Sequence, residues 1–409
     1  MAGLYVHIPF RRAARTYDDA FTAPTDRDTF SPYAAALERE LIYYAQQHAS
    51  DEPIRTVYAG GGRPSLFAMA DVRTVLQTVL NVFDASAIEE ATAEVNPADA
   101  DPTYLSALQS AGFDRLHFEV LSFFPGDLKD LDAPHTAQDA VRAIREARQA
   151  GFDNISIDLL FGWPGQSMKH WRANLEQAVE MNLPHVTIAE WTGNRSSFPA
   201  KAHPEAARGS GPETGGTAAA DPSAQVSAEE TEHDAQVRTA RQLQIAMTYL
   251  DQQGYDQYEL THFARPGCAS KHQENYYAHG NYLGVGASAH TFWWPRRSEG
   301  VPARRWANVR DVDRYQQLLS QQYPPISFRQ TIDWKTLADE YVALRLRTGD
   351  GLDLRRLKAA YGVDLREEKA ALLEKLLEKE LVTETDPHQI SLTHRGRLVT
   401  DGITERLTR

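Results

Sequence analysis

The chain has 409 residues, and 43 basic against 56 acidic side chains give it a formal net charge of −13. Its length and its hydrophobic share of 42% are typical of a soluble globular protein of two or three domains, and the acidic balance argues against a nucleic-acid partner. Cys268 is the one cysteine, which excludes an internal disulfide and any metal or iron–sulfur site built only from the cysteines of one chain.

Short runs of β-forming residues alternate with amphipathic stretches in the first half of the chain. The predicted strands cover residues 4–8, 56–58, 91–95, 115–120, 155–161 and 186–191. The predicted helices between them include residues 34–47, 72–82 and 137–150. This alternation predicts a parallel sheet covered by helices, either an open α/β sheet or a barrel. The number of units favours a (β/α)6-type partial TIM barrel, in which ligands bind at the carboxyl ends of the strands.

Residues 199–235 differ in composition from the segments around them. They contain four Gly and four Pro, and Val226 is their only large apolar residue. Such a segment cannot bury enough apolar surface to offset the loss of chain entropy, so we expect a disordered insertion. A helical pattern resumes at about Gln236 and continues to Gln253. The barrel is therefore predicted to comprise residues 1–198 and 236–325.

Residues 326–409 are predicted to form a small separate domain. Helical patterns at 337–346, 354–361 and 367–380 precede two short strands at 381–383 and 389–392. Three helices followed by a two-stranded wing indicate a winged-helix-like domain. The third helix carries five Glu against three Lys, a balance that would repel a phosphate backbone. We therefore expect a structural lid or a docking role for this domain, and not DNA binding.

Six motifs follow one another along the chain. They are YVHIPF at 5–10, GGGRPS at 60–65, EVNP at 94–97, AGFDRL at 111–116, IDLLFGWPGQ at 157–166 and YELTHFARPG at 258–267. A glycine triplet lets a ligand approach the backbone closely, although a tight turn explains such a triplet equally well. Together the motifs resemble the oxygen-independent coproporphyrinogen III oxidase family of radical S-adenosylmethionine (SAM) proteins, and within it the HemW haem-chaperone branch. ISLTHRG at 390–396 resembles the closing motif of that family.

The resemblance implies a 4Fe–4S cluster and SAM as cofactors, because members of the family carry C-x3-C-x2-C directly after the HIPF motif. In this sequence the three positions are Arg11, Arg15 and Asp18. A guanidinium has no lone pair to donate, and two cations and one carboxylate do not replace three thiolates around iron. We therefore predict that the chain holds no cluster and does not cleave SAM reductively.

The resemblance also identifies a residual SAM pocket, in which Glu94 matches the family's ribose-contacting carboxylate and Asp158 a SAM-contacting aspartate. The whole set is Tyr5, Gly60, Gly61, Gly62, Glu94 and Asp158. Other contact positions of the family have changed, with Arg63 in place of Thr, Leu121 in place of Gln and Ala133 in place of Arg. These losses indicate that the fold is retained and the cofactor abandoned.

Two interpretations of the retained carboxylates follow from this pattern. They belong either to a surviving nucleotide site or to a structural network across the barrel mouth. In the structural interpretation, which we favour, Arg11, Arg15 or Arg63 are their new partners, and a neighbouring cation keeps a carboxylate charged by lowering its pKa.

The motif that the resemblance associates with haem binding, HN-x-x-YW, corresponds to HQENYY at 272–277. A neutral imidazole is a good ligand for haem iron, so His272 is the candidate iron ligand, and Tyr276 and Tyr277 are candidate porphyrin contacts. Cys268 and His262 are nearby candidates for the second axial position. In the alternative interpretation, His272 only packs beneath residues 282–286.

Arginines and tryptophans cluster later in the chain, and the favoured interpretation is a solvated loop that contacts the C-terminal domain. Alternatively, the arginines pair with porphyrin propionates. The cluster comprises Arg296, Arg297, Arg304, Arg305 and Arg310 beside Trp293, Trp294 and Trp306.

The leading hypothesis is a HemW-like protein that binds haem or a related porphyrin without a functional 4Fe–4S cluster and hands it to an acceptor protein. The first alternative is a radical SAM enzyme of the coproporphyrinogen III oxidase type, and the second is a non-catalytic structural paralogue. No apolar run reaches the ~20 residues that span a bilayer, and the amino terminus lacks the features of a signal peptide. We expect a cytoplasmic protein, with peripheral membrane contact left open.

Overall fold

The computed structural model of the protein describes residues 2–11, 21–24, 30–48, 52–192, 232–295 and 300–408. The strands in these ranges are β1 (Ala2–Ile8), β2 (Phe10–Arg11), β3 (Ala23–Pro24), β4 (Ile54–Gly61), β5 (Glu90–Val95), β6 (Arg115–Leu121), β7 (Asn154–Phe161), β8 (His185–Glu190), β9 (Asp256–Glu259), β10 (His262–Ala264), β11 (Asn281–Val285), β12 (His290–Trp293), β13 (Arg304–Asn308), β14 (Ile326–Thr331), β15 (Leu352–Asp353), β16 (Val382–Asp386) and β17 (Gln389–Leu392). The helices are α1 (Phe30–His48), α2 (Met69–Val82), α3 (Pro102–Ala111), α4 (Pro125–Asp130), α5 (Ala137–Gln149), α6 (Met168–Glu180), α7 (Glu232–Gln252), α8 (Lys271–Tyr277), α9 (Val312–Ser320), α10 (Trp334–Leu346), α11 (Leu354–Tyr361), α12 (Leu365–Glu368), α13 (Ala370–Glu378), α14 (His394–Arg397) and α15 (Thr400–Thr408).

Six neighbouring parallel strands, in the order β1-β4-β5-β6-β7-β8, form the partial barrel. Helices α1, α2, α3, α5 and α6 lie between successive strands of this series. Each of the six strands lies where the sequence predicts one, and the predicted α/β partial barrel is confirmed. The sheet continues on one side through β11, which is parallel to β1, and then through antiparallel β12, β13 and β14. Antiparallel β10 and β9 close the other side.

The sequence of α5 sets both its start and its buried face. Thr136 accepts a hydrogen bond from the main-chain N–H of Asp139, whose carboxylate accepts one from the main-chain N–H of Thr136, so the helix starts with a capping box. Apolar residues then recur three and four positions apart and are buried against the sheet. This buried stripe is Ala140, Ala143, Ile144 and Ala147.

The C-terminal domain differs from the predicted winged-helix arrangement in three details. The third predicted helix is divided into α12 and α13 at Lys369. The predicted two-stranded wing has a third strand, because β15 pairs with β17 in the order β15-β17-β16. Helices α14 and α15 follow the wing and were not predicted.

Strand β14 (326–331) lies just after the predicted boundary between the domains, which was placed after residue 325. Strand β14 pairs with β13 along its whole length and therefore belongs to the large sheet. The core of the C-terminal domain takes in residues from Ile332 onward, together with apolar side chains of the β12–β13 hairpin such as Phe292 and Trp294. The two units thus share a hydrophobic contact.

The predicted disordered insertion falls mostly outside the described residues. Its last four residues, 232–235, are described and belong to α7, so the helix begins earlier than its pattern indicated. In the described part of the chain, no helix is both long enough and apolar enough to cross a membrane.

Candidate functional site

Tyr5 and Tyr276 line one cavity, and Glu94 and Asp158 line another. The smaller, here called the barrel cavity, has a volume of about 210 Å³ and is lined by polar side chains of β4 to β8. The larger, here called the junction cavity, has a volume of about 790 Å³. It lies where β1, β11 and β12 meet α10 of the C-terminal domain.

Glu94 and Asp158 both line the barrel cavity, and each has a partner in the chain itself. Glu94 accepts hydrogen bonds from the Tyr58 hydroxyl at 2.7 Å and from the main-chain N–H of Gly61 at 2.9 Å. One carboxylate oxygen of Asp158 lies 2.8 Å from Nε2 of His117. Burial raises the pKa of Glu94. Burial would also raise the pKa of Asp158, but the charge and hydrogen bond of His117 hold it below its usual value.

Of the three arginines predicted as partners of these carboxylates, the two that the structure describes bind other groups. Arg63 instead pairs with Asp99, through two hydrogen bonds of 2.5 and 2.6 Å. Arg11 donates a hydrogen bond of 3.0 Å to a carbonyl oxygen of the glycine triplet. Arg15 and Asp18 lie outside the described residues. The carboxylates in the barrel therefore rely on tyrosine, histidine and main-chain donors, while Arg11 binds the glycine segment and Arg63 binds Asp99.

The glycine triplet is packed against its own chain. A Cβ on Gly60 would lie 2.7 Å from the carboxyl carbon of Glu94, and one on Gly62 would lie 2.6 Å from the carbonyl oxygen of Phe10. Gly61 has a φ of 112°, in the region that favours glycine. The φ of Gly61 and the main-chain contact at Gly62 favour glycine at these two positions, and a side chain at Gly60 would meet the carboxyl group of Glu94.

His272, the predicted iron ligand, lies in the protein interior at the start of α8. Ser270 caps this helix, and the carboxylate of Glu90 accepts hydrogen bonds from its first two main-chain N–H groups. The Nδ1 of His272 lies 2.8 Å from the Thr56 hydroxyl, and its Nε2 lies 2.9 Å from the Tyr276 hydroxyl. Burial lowers its pKa to about 3. Both ring nitrogens are therefore occupied, and this arrangement does not present His272 to a metal.

The other predicted haem contacts are separated by the structure. Tyr276 lines the junction cavity together with Tyr5 of the predicted SAM pocket. Tyr277 lines a different cavity, beside α10. His262 lies 2.7 Å from the carboxylate of Glu259 and borders the barrel cavity. Tyr276, Tyr277 and His262 therefore border three different cavities.

Aromatic rings form much of the junction cavity. Tyr282 meets Tyr276 edge to face with ring centres 4.7 Å apart, and Phe292 stacks on His279 at 4.6 Å. Alternation along β12 directs both His290 and Phe292 into the cavity. Such walls suit a flat conjugated ligand, because aromatic rings stack on extended π-systems.

Cationic side chains border the same cavity. Arg305 donates two hydrogen bonds, of 3.0 and 2.8 Å, to the carboxylate of Glu340 on α10. The guanidinium of Arg310 lies 5.7 Å from the ring centre of Phe21. Arg304 and Arg305 belong to β13, so the prediction of a loop is wrong there, although the predicted contact with the C-terminal domain is present. The first two arginines of the predicted cluster lie outside the described residues.

Comparisons with known proteins identify the family. Residues 21–178 match the Radical SAM superfamily, and residues 332–399 match the HemN C-terminal domain. The heme chaperone HemW of Bacillus subtilis (strain 168) is 26% identical to the chain, over 98% of the chain and 97% of the relative. The heme chaperone HemW of Escherichia coli (strain K12) is 30% identical, over 70% of the chain and 69% of the relative. The chain belongs to the HemW/HemN-like radical SAM family.

The described fold matches that of a solved HemN structure. The solved structure of the coproporphyrinogen III oxidase HemN from Escherichia coli, described as a radical SAM enzyme, matches with a TM-score of 0.77 and 20% sequence identity. The match covers 100% of this chain and 90% of that chain. The matched HemN C-terminal domain begins at residue 332, directly after β14.

The family name implies a 4Fe–4S cluster with SAM, and the donor groups of this chain do not fit such a cluster. Arg11 stands at the first cysteine position and uses its guanidinium to bind the glycine triplet. Cys268, the one cysteine of the sequence, lies in the turn before α8 with its Sγ 3.9 Å from the carbonyl oxygen of Pro266. A single thiol cannot replace three thiolates, so the chain offers at most one of the sulfur ligands that the cluster needs.

Several residues that line the junction cavity, such as His290, Phe292 and Glu340, were not identified as site residues from the sequence. The alternation of His290 and Phe292 around Thr291 is a signal for a strand that exposes both rings on one face. Nothing in the sequence indicates that Glu340, on a helix of the other domain, approaches Arg305.

Proposed function

We propose that this protein binds haem or a related porphyrin in the junction cavity and hands it to an acceptor protein, without using a 4Fe–4S cluster. The observation that carries this proposal is a cavity of about 790 Å³ that combines aromatic walls with a cationic border. Pockets of roughly 300–1,000 Å³ bury most of the surface of a small organic ligand. The names of the relatives, heme chaperones from several bacteria, support the same ligand class.

Charge at the cavity border supports a porphyrin that carries propionates. Among the described residues, no carboxylate forms an ion pair with Arg310, whose guanidinium is left with the Phe21 ring as a neighbour. Arg305 adds a second cation, partly balanced by Glu340. Guanidinium groups bind carboxylates in a planar, bidentate manner, so Arg310 is the expected anchor for one propionate.

The barrel cavity is the weaker candidate for a porphyrin, because its volume is only about 210 Å³ and its lining is polar. Its carboxylates already bind partners of the chain, and the glycine triplet faces protein atoms. These features support a barrel that keeps the fold of the family while its residual SAM pocket has become a structural network.

The two alternatives predict different behaviour. A coproporphyrinogen III oxidase-like enzyme needs a cluster, and reconstitution with iron and sulfide would then produce a broad thiolate-to-iron absorption band. A non-catalytic paralogue would bind neither cluster nor porphyrin. The proposed carrier binds porphyrin and develops no cluster band.

The test is a titration of the full chain with iron protoporphyrin and with metal-free protoporphyrin, followed by absorbance and tryptophan fluorescence. Ala343, on α10, lines the junction cavity, so the ring in Ala343→Phe would obstruct part of it. We expect this variant to lower the affinity for both porphyrins by about tenfold or more, equivalent to at least about 1.4 kcal/mol of binding free energy. Ala359→Phe, an exposed position on α11, is the matched control and should bind like the wild type. Equal binding by both variants, or none by the wild type, would contradict the proposal.

A further inference from the structure

We infer that His290 is the side chain that ligates the iron when an iron porphyrin occupies the junction cavity. This inference rests on the proposed function and assigns the ligand role to a residue outside the motif at 272–277. The position follows from the hydrogen bonds of the neighbouring histidines, the direction of β12 and the charge state expected of each candidate ligand.

The other histidines of the junction cavity are already engaged. Nδ1 of His7 lies 3.0 Å from the Tyr5 hydroxyl, and its Nε2 lies 3.0 Å from the carbonyl oxygen of Phe21. Nδ1 of His279 lies 3.0 Å from the Tyr361 hydroxyl, and its Nε2 faces a carboxylate of α10 at 3.4 Å. Either ring would have to break a buried hydrogen bond before it could reach a metal.

His290 differs from both. Its side chain is exposed and lines the cavity, and it forms no hydrogen bond with any described residue. It shares a face of β12 with Phe292, so a porphyrin plane against that ring would lie next to the imidazole. Partial burial, with Arg305 and Arg310 nearby, lowers the pKa of His290 and favours the neutral ring, the form that has a lone pair for iron.

Tyrosine is the other residue type in the cavity that could ligate ferric iron. It does so as the phenolate, and burial raises the pKa of the three phenols in the cavity wall, Tyr5, Tyr276 and Tyr282. These groups therefore stay protonated near neutral pH. An imidazole that is already neutral is the better donor.

The main chain at His290 is fixed by the neighbouring strand. A Cβ on Gly284 of β11 would lie 2.1 Å from the His290 carbonyl oxygen, so the two strands approach closely only because glycine is present. The hydroxyl of Thr291 accepts a hydrogen bond of 2.9 Å from the Gly284 N–H. A ligand on a rigid strand is held more precisely than one on a loop, which suits an axial position.

The experiment compares the wild type with His290→Ala, using iron protoporphyrin and metal-free protoporphyrin in parallel. His388→Ala, at an exposed turn of the C-terminal hairpin, is the control. We expect His290→Ala to lower the affinity for iron protoporphyrin by at least about tenfold. Mutation of residues that only hydrogen-bond to a metal ligand already lowers metal affinity by about that factor. The affinity for metal-free protoporphyrin should fall clearly less. The Soret band and the electron paramagnetic resonance spectrum of the iron complex should change. Added imidazole should restore the wild-type spectrum.

Each other result would overturn the inference. An iron complex of His290→Ala with wild-type affinity and spectrum would remove His290 as the ligand while the proposed porphyrin function stands. If the affinity for both porphyrins fell equally, His290 would be part of the cavity wall only. The same would follow if added imidazole did not restore the spectrum of a variant whose circular dichroism matches the wild type. Failure of the wild type to bind either porphyrin would instead defeat the proposed function.

Discussion

Protonation of one buried glutamate should control how stability depends on pH. Glu40 on α1 accepts hydrogen bonds from the Gly286 N–H at 2.8 Å, the Asn308 amide at 2.6 Å and the Tyr315 hydroxyl at 2.5 Å. It thereby anchors the segment that leads from β11 into β12. Despite these donors, complete burial raises the pKa of Glu40 from 4.5 to about 7.

The folded protein therefore binds this proton more tightly than the unfolded chain does. The stabilisation is complete below the unfolded pKa of about 4.5 and is lost as the pH rises towards 7. One pKa unit corresponds to about 1.4 kcal/mol, so the wild type should lose about 2–3 kcal/mol relative to Glu40→Gln between pH 5 and pH 8. The glutamine amide keeps the shape of the neutral acid but does not titrate.

The assay is urea unfolding of the wild type and of Glu40→Gln at several pH values in this range, with Glu368→Gln as a control at an exposed position. The free-energy difference between wild type and control variant should hardly change with pH. If the wild type instead kept a constant difference from Glu40→Gln, or gained stability relative to it as the pH rises, the reasoning about burial would be refuted.

Three substitutions test the surroundings of the junction cavity through the free energy of unfolding in urea. Gly284→Ala forces a Cβ to within 2.1 Å of a carbonyl oxygen of β12 and should cost about 3 kcal/mol or more, whereas Gly402→Ala, with nothing within 4 Å, should be neutral or stabilising. Equal effects would contradict the close strand approach. Arg305→Gln removes the paired hydrogen bonds to Glu340 and should cost about 1 kcal/mol at low salt and less at high salt; a salt-independent effect would exclude an ionic origin. His272→Ala removes the hydrogen-bond partner of the buried Thr56 hydroxyl and of the half-buried Tyr276 hydroxyl, and should cost about 1–3 kcal/mol without changing the spectrum of bound iron porphyrin. A changed spectrum at unchanged stability would restore His272 as the ligand.

The fold could be predicted from the sequence further than the site could. The β-forming runs and amphipathic stretches are local patterns, so they located all six barrel strands and the main C-terminal helices. The junction cavity combines Tyr5, His290 and Glu340, which lie far apart in sequence and meet only after the domains pack together. A motif identified His272 as a residue of interest but could not give the direction of its ring, which is set by hydroxyl groups of Thr56 on β4 and Tyr276 on α8.

The most direct test of the central claim is the position of iron in crystals of the full chain grown with iron protoporphyrin, measured by anomalous scattering at the iron absorption edge. We expect one strong peak inside the junction cavity, beside His290 and between the β11–β12 hairpin and α10. A peak beside Cys268 or only at the molecular surface would contradict this expectation. So would the absence of ordered iron from the crystals, if the protein in solution also binds no porphyrin.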